Sequence, residues 1–179
     1  NHFKVVCEDS RQVTGDVVIV ASGTLRKMLG VPGERELIGK GVFYCALCEA
    51  QKFKGMTVVV CGGGNAGVTE AIYLARVASE VKLLEVEHQV TASAILQERL
   101  RAARNIELVC GAKVVGITGE ERVEGVIYRK DDRESYVEAN GVLVRIGLEP
   151  NTSFLGELAP LDETSHVVVN QRMETSVPG

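Results

Sequence analysis

Thr57-Val58-Val59-Val60-Cys61-Gly62-Gly63-Gly64-Asn65-Ala66-Gly67 is the stretch that decides the fold. A β-branched run that stops at glycines predicts a strand, Thr57 to Cys61, ending in a tight bend. Gly62, Gly64 and Gly67 fit G-x-G-x-x-G, with Gly63, Asn65 and Ala66 between them. In that pattern the first glycine makes the turn, the second lets backbone approach a diphosphate, and the third lets helix and strand pack closely. Val68, Ala71, Ile72 and Ala75 then recur at helical spacing, predicting a helix over 65–78 whose first amides face the bend. A second strand, Glu80 to Glu85, completes a strand-turn-helix-strand unit of about 30 residues, the size of a βαβ crossover. A glycine pattern alone also describes a turn that binds nothing; a strand directly before it and a helix directly after it favour the diphosphate.

An acidic residue about twenty positions beyond the first glycine, at the end of the second strand, is where such units hold a ribose. Glu85 occupies that place. Its carboxylate can accept hydrogen bonds from ribose hydroxyls and would repel a 2′-phosphate, and Val86 and Glu87 supply no cation to neutralise one. NADH is therefore expected over NADPH. The plainer alternative is that Glu85 and Glu87 cap a strand in solvent.

Outward from this unit, Ile95, Leu96, Leu100 and Ala103 predict a helix over 92–103, and Ile106 to Cys110 a third parallel strand. Val114 to Ile117, Val123 to Arg129 and Ser135 to Glu138 read as an antiparallel meander with Lys130-Asp131-Asp132-Arg133 at a hairpin tip, and Gly141 to Gly147 as a buried strand. Upstream, Phe3 to Cys7 and Asp16 to Ala21 read as strands around a turn at Thr14-Gly15, and the glycine-rich stretch 30–41 as a linker or crossover. His166 to Asn170 reads as a last strand. The fold class expected is α/β: a Rossmann-like nucleotide-binding domain with a parallel sheet, helices and a β-meander.

The 179 residues are 45% apolar, enough for a real core, and carry a net charge of −4 with no basic cluster, so nucleic acid is not an expected partner. Apolar runs are strand-length, so no membrane span is expected. No charged start followed by an apolar stretch and a small-residue cleavage site appears, and a cytoplasmic location is expected. His2, His88 and His166 are isolated and read as surface or structural.

The five cysteines are an odd number, which argues against a disulfide framework. Cys7, Cys61 and Cys110 stand among apolar residues, as small core thiols do. Cys45-Ala46-Leu47-Cys48 differs, because two intervening residues bring the sulfurs within disulfide reach at the first turn of a helix. Half a zinc site has the same spacing, but no second pair or Cys/His couple follows, and no metal is expected. Glu49 stands next to the pair, where it can carry a proton during thiol exchange or serve as a solvated surface carboxylate.

Together, five stretches carry a resemblance to the low-molecular-weight thioredoxin reductases and the related reductase component of alkyl hydroperoxide reductase. They are Ile19-Val20-Ala21-Ser22-Gly23 with Pro32-Gly33-Glu34; Gly41-Val42-Phe43-Tyr44-Cys45-Ala46-Leu47-Cys48-Glu49; Val60 through Gly67; Ile146-Gly147-Leu148-Glu149-Pro150-Asn151-Thr152; and Met173-Glu174-Thr175-Ser176-Val177-Pro178-Gly179. The resemblance implies a nicotinamide-nucleotide domain over 41–141, inserted into an FAD domain whose strands are contributed by 1–40 and 142–179. It implies that hydride passes to flavin and electrons pass on to the Cys45–Cys48 disulfide and then to a thioredoxin-like or peroxidase-type protein. Cys48 matches the cysteine that faces the flavin, Cys45 the one that attacks the partner, and Glu49 a position where the family commonly has an acid-base aspartate. Ile146 and Gly147 belong to a family stretch associated with cofactor binding. A homodimer is the family's usual assembly.

The chain departs from the family in three places. The usual basic motif after the second strand is replaced by Glu85-Val86-Glu87 and Thr91, which again favours NADH. Neither the N-terminal glycine motif for FAD nor the Gly-Asp pair beyond Ser-Val-Pro-Gly occurs in the 179 residues, so this chain alone is expected neither to hold FAD tightly nor to turn over. The competing expectation is a nucleotide-sensing module with a vestigial redox pair.

Overall fold

Val58, Val59 and Val60 are completely buried, as expected of a central strand covered on both faces. The computed structural model describes residues 2–178; Asn1 and Gly179, the last residue of the Met173–Gly179 stretch, lie outside the described residues. In chain order the strands and helices are β1 (Phe3–Val6), β2 (Gln12–Gly15), β3 (Thr24–Arg26), β4 (Val42–Phe43), α1 (Ala46–Glu49), β5 (Thr57–Cys61), α2 (Asn65–Leu74), β6 (Glu80–Glu85), α3 (Ala94–Ala102), β7 (Ile106–Cys110), β8 (Lys113–Thr118), β9 (Gly125–Lys130), β10 (Arg133–Glu138), β11 (Gly141–Val144) and β12 (Leu148–Pro150). The chain divides into two compact units, one of Lys27–Gly147 and one of Asn1–Arg26 with Leu148–Gly179.

The larger unit is built on a five-stranded sheet of order β4-β11-β5-β6-β7, with every pair parallel. One core cluster joins Val58, Val60, Val68, Ala71, Leu74, Val81 and Leu83, so α2 packs through the apolar face its spacing predicts. A second cluster joins Val59, Cys61, Val142 and Val144 to Val114, Ile117 and Val126 of the antiparallel meander β10-β9-β8. The β9–β10 hairpin turns through Asp131 and Asp132, both at positive φ (49° and 60°), the conformation a two-residue hairpin favours. The parallel sheet and meander are those read from sequence.

Several boundaries differ for local reasons. Helix α2 ends at Leu74 rather than Ala78, because the chain tightens there and the Asn105 side chain donates to the carbonyls of Ala75 and Ala78 at 2.9 and 3.2 Å. Helix α3 begins at Ala94, because residues 91–93 are engaged at the glycine bend, and Ile95 faces solvent. The stretch 30–41 is a packed crossover: Glu34 and Leu37 are buried, the Glu34 carboxylate accepts from the amides of Leu29 and Gly30 and the Tyr44 hydroxyl, and Ile117 donates to Pro32.

In the smaller unit β1 pairs with β2 and β3 with β12, both antiparallel. The first hairpin turns at Asp9-Ser10, not Thr14-Gly15, because Ser10 adopts φ 65° and the Asp9 carboxylate accepts from the Arg11 amide and guanidinium. Asp16–Ala21 is therefore not a strand. Nor do residues 166–170 form one; a single bridge joins Leu161 to Val167, and the Asp162 carboxylate turns the chain by accepting from the Thr164 and His166 amides.

Two rings that flank the Cys-x-x-Cys turn in sequence stack on each other. Phe43 on β4 and Phe53, just after α1, lie 4.7 Å apart at 20°, and a Cβ on Gly141 would strike the Phe53 ring at 2.5 Å. Phe53→Ala should destabilise the chain by about 3–5 kcal/mol in denaturant unfolding, whereas a cost under about 1 kcal/mol would show that the stacked pair contributes little to stability.

Candidate active site

β4, β11 and β5 run parallel, so the residues following them, Cys45, Arg145 and Gly62, emerge at the same carboxyl edge of the sheet. In open α/β sheets that edge is where ligands bind.

At this edge the backbone is tightest at Gly62 and Gly67. Gly62 has φ 111°, and a Cβ there would collide with the Arg145 carbonyl; a Cβ on Gly67 would collide with the Gly62 carbonyl, so any side chain would force α2 off the strand end. Gly64 is different: only the Thr91 hydroxyl oxygen, 3.8 Å away, would lie near its Cβ. No side chain caps α2 behind Gly64, so the first-turn amides around Asn65 and Ala66 remain available to an anion. The bend is braced from outside, with Gly63 O accepting from the Thr91 and Ala92 amides, and Asn65 Oδ1 accepting from Ser93. These residues fit a dinucleotide diphosphate, since the one approach left clear is at the glycine that must be bare. Ile146 and Gly147 follow Arg145 beside this bend; both are exposed, and Gly147 takes φ 117°.

Glu85 does not cap a strand in solvent. It is 7% exposed, with Oε2 accepting from the Gly63 amide and Oε1 from the Glu87 amide at 2.9 Å. The carboxylate thus fastens the glycine bend to the end of β6. Glu87 itself is exposed.

Cys45 and Cys48 form a disulfide, with Cα atoms 5.5 Å apart. Cys45 is half-buried, Cys48 exposed, and Leu47 between them is exposed as well. The Glu49 carboxylate is half-buried and pairs with Lys52 at 3.0 Å. Among the described residues no group of three His, Cys, Asp or Glu side chains could hold a metal, and no helix is long and apolar enough to cross a membrane. Cys61 is buried beneath the bend, where burial first and the Glu34 charge second push its thiol up to about 12. It is a core group. Cys7 and Cys110 are only half-buried, Cys7 lying just past β1; burial and then the Glu85 charge push the Cys110 thiol up.

Two residues not singled out in the sequence stand at the centre of this edge. Glu70, on α2, is buried, accepts from the Ala46 amide at 2.8 Å and pairs with Arg145. Each is the lone charge of an apolar stretch, 65–74 and 141–147, and that isolation is the sequence signal that could have flagged them.

Fold and site together define an α/β unit with a parallel sheet, a glycine bend and a Cys45–Cys48 disulfide at one sheet edge. A family model described as pyridine nucleotide-disulphide oxidoreductase matches residues 1–179, and the chain belongs to that family. A component of the alkyl hydroperoxide reductase of Staphylococcus aureus (strain NCTC 8325 / PS 47) is 37% identical over 179 residues, covering 99% of this chain and 35% of that protein. Among solved structures, thioredoxin reductase of Lactococcus lactis superposes with a TM-score of 0.88 at 28% identity, covering 98% of this chain and 59% of that one. Thioredoxin reductase of T. acidophilum gives 0.83 at 36% identity, covering 94% and 58%. This chain thus spans about a third of the curated relatives' length and under two thirds of those solved chains. The family implies use of FAD and a pyridine nucleotide.

Proposed function

We propose that this chain is the part of a flavoprotein disulfide oxidoreductase in which reducing equivalents from a pyridine nucleotide, NADH by preference, reach the Cys45–Cys48 disulfide and leave to a thioredoxin-like or peroxidase-type protein. The observation that carries this reading is the arrangement of a formed Cys45–Cys48 disulfide and an unobstructed glycine bend along one sheet edge. Residues 41–141, together with 27–40 and 142–147 that pack in the same compact unit and complete its sheet through β11, form the nucleotide domain, and the segments outside that unit belong to the FAD domain. The complete protein acts in the cytoplasm as a homodimer.

When bound, the nicotinamide supplies a hydride and the flavin a two-electron relay. Gly62, Gly63, Gly64, Asn65, Ala66 and Gly67 would hold the nucleotide diphosphate, Glu85 would face the ribose, and Ile146 and Gly147 would line the approach. In the reduced protein the Cys45 thiolate attacks the partner's disulfide, forming one mixed disulfide and releasing one partner thiolate. Cys48 then attacks the Cys45 sulfur, re-forming the Cys45–Cys48 bond and releasing the second partner thiol. Two electrons and two protons pass to the partner, and Glu49 carries protons between the sulfurs and solvent.

The test is to assay the gene product carrying this segment for disulfide reduction with each nucleotide. A clear preference for NADH is expected, and equal use of both would sink the Glu85 argument. Glu85→Gln keeps an oxygen for the Gly63 amide but removes the charge, so the preference should fall about tenfold, within the 1–4 kcal/mol range of a near-surface charge pair. The alkyl hydroperoxide reductase likeness supports a peroxidase-type acceptor and the solved structures support thioredoxin. Offering both acceptors to the same preparation separates them.

A further inference from the structure

A buried ion pair is costly to form, and one inside an otherwise apolar helix face calls for a reason. On α2, Val68, Ala71 and Leu74 fill the core, and Glu70 is the helix's one charged residue. Its Oε2 accepts from the amide of Ala46, the residue directly after Cys45, while Oε1 pairs with Arg145 Nη2. Arg145 is itself fixed: its amide donates to Cys61 O at 2.8 Å, its carbonyl abuts Gly62, and its Nε is buried without a hydrogen-bond partner among the described residues. One carboxylate and one guanidinium therefore stand behind the disulfide and join it to the glycine bend.

We infer that Glu70 and Arg145 are positioning residues whose opposed charges set the redox equilibrium of the Cys45–Cys48 pair. The inference rests on the assignment of that pair as the redox centre. Reduction converts the disulfide, with two electrons and two protons, into two thiols, one of which can ionise to a thiolate, as an unperturbed cysteine does at about 8.5. A carboxylate beside the pair disfavours that thiolate and so favours the disulfide; a guanidinium does the reverse. With both present the two effects offset. The other charged groups on the elements packed around the pair are Glu49 and Lys52, which already pair with each other, and Glu34, which holds the Tyr44 hydroxyl.

The test uses the 179-residue chain in glutathione or dithiothreitol redox buffers, with the oxidised fraction of the Cys45–Cys48 peptide read by alkylation and mass spectrometry. Near pH 9.5, where an unperturbed thiol is about nine-tenths ionised, Glu70→Gln should move the equilibrium about five- to tenfold toward the dithiol and Arg145→Met about fivefold toward the disulfide, each about 20–30 mV for a two-electron couple. The double variant Glu70→Gln/Arg145→Met should return close to the starting value. Glu70→Asp and Arg145→Lys, which keep the charges, should shift little. At about pH 6, where an unperturbed thiol is protonated, the shifts should shrink toward zero. Shifts of one sign in both single variants, or shifts of equal size at both pH values, would mean a merely structural role and overturn the inference. If Arg145→Met fails to fold, Glu70→Gln against Glu70→Asp still decides it. If the unaltered pair does not exchange with the buffer, the redox assignment itself fails, and the inference falls with it.

Discussion

Cys48→Ser in the gene product carrying this segment should trap a stable mixed disulfide between Cys45 and the protein acceptor, whereas Cys45→Ser should trap none. Both variants should lose acceptor reduction by more than about a thousandfold, equivalent to over 4 kcal/mol of barrier, because serine can neither attack a disulfide nor resolve one. Hydride transfer to flavin, read with an artificial electron acceptor, should persist in both. The asymmetry matters more than the size of the loss. A mixed disulfide formed only by Cys45→Ser would exchange the two roles, and acceptor reduction surviving in both variants would remove Cys45–Cys48 from the reaction. The geometry leaves Cys48 exposed and Cys45 half-buried in the disulfide form, so an attack by Cys45 requires the short α1 turn to present its sulfur to the acceptor.

Gly67→Ala and Gly64→Ala should separate folding from binding at the same bend. At Gly67 an added methyl meets the Gly62 carbonyl, which is backbone and cannot swing aside, so α2 must lift from the strand end. Overpacking of this kind costs about 1–3 kcal/mol, and 2–3 kcal/mol in a chain of this length lowers Tm by about 5–10 °C, with nucleotide binding lost alongside. Gly64 sits at φ −75°, a conformation alanine adopts freely, and has open space beside it. Gly64→Ala should therefore leave Tm nearly unchanged while weakening nucleotide binding at least tenfold, about 1.4 kcal/mol, as the methyl occupies the approach a diphosphate needs. Calorimetry with NADH and a thermal melt on each variant suffice. Undiminished affinity in Gly64→Ala would show that the bend receives no diphosphate.

Both predictions draw on features legible in the order of residues along the chain. The alternation of apolar strand, glycine bend and helix over 57–85 carried the parallel sheet, because a βαβ unit has few ways to bury two faces of a strand at once. The Asp131-Asp132 hairpin was legible for the same kind of reason: its residues tolerate the positive φ that the turn demands. Less regular segments are harder to read. Asp16–Ala21 has the β-branched composition of a strand, yet Val17 and Ile19 are 68% and 88% exposed, because the Asp9-Ser10 turn hands the partner position to Gln12–Gly15. The stretch 30–41, whose glycine content fits a linker or a crossover alike, is a crossover, drawn into the core because Glu34 gathers three donors.

The sequence by itself determined the α/β class, the glycine bend and the Cys45–Cys48 pair, since each depends on residues close along the chain whose spacing alone constrains them. Only the tertiary structure decided that Glu85 grips the Gly63 amide and that Glu70 and Arg145, 75 positions apart, meet behind Cys45. Those contacts arise from strand order, β4-β11-β5-β6, which brings these segments to one sheet edge. Local spacing carries no record of that order, whereas a buried charge can persist only where the fold delivers its partner.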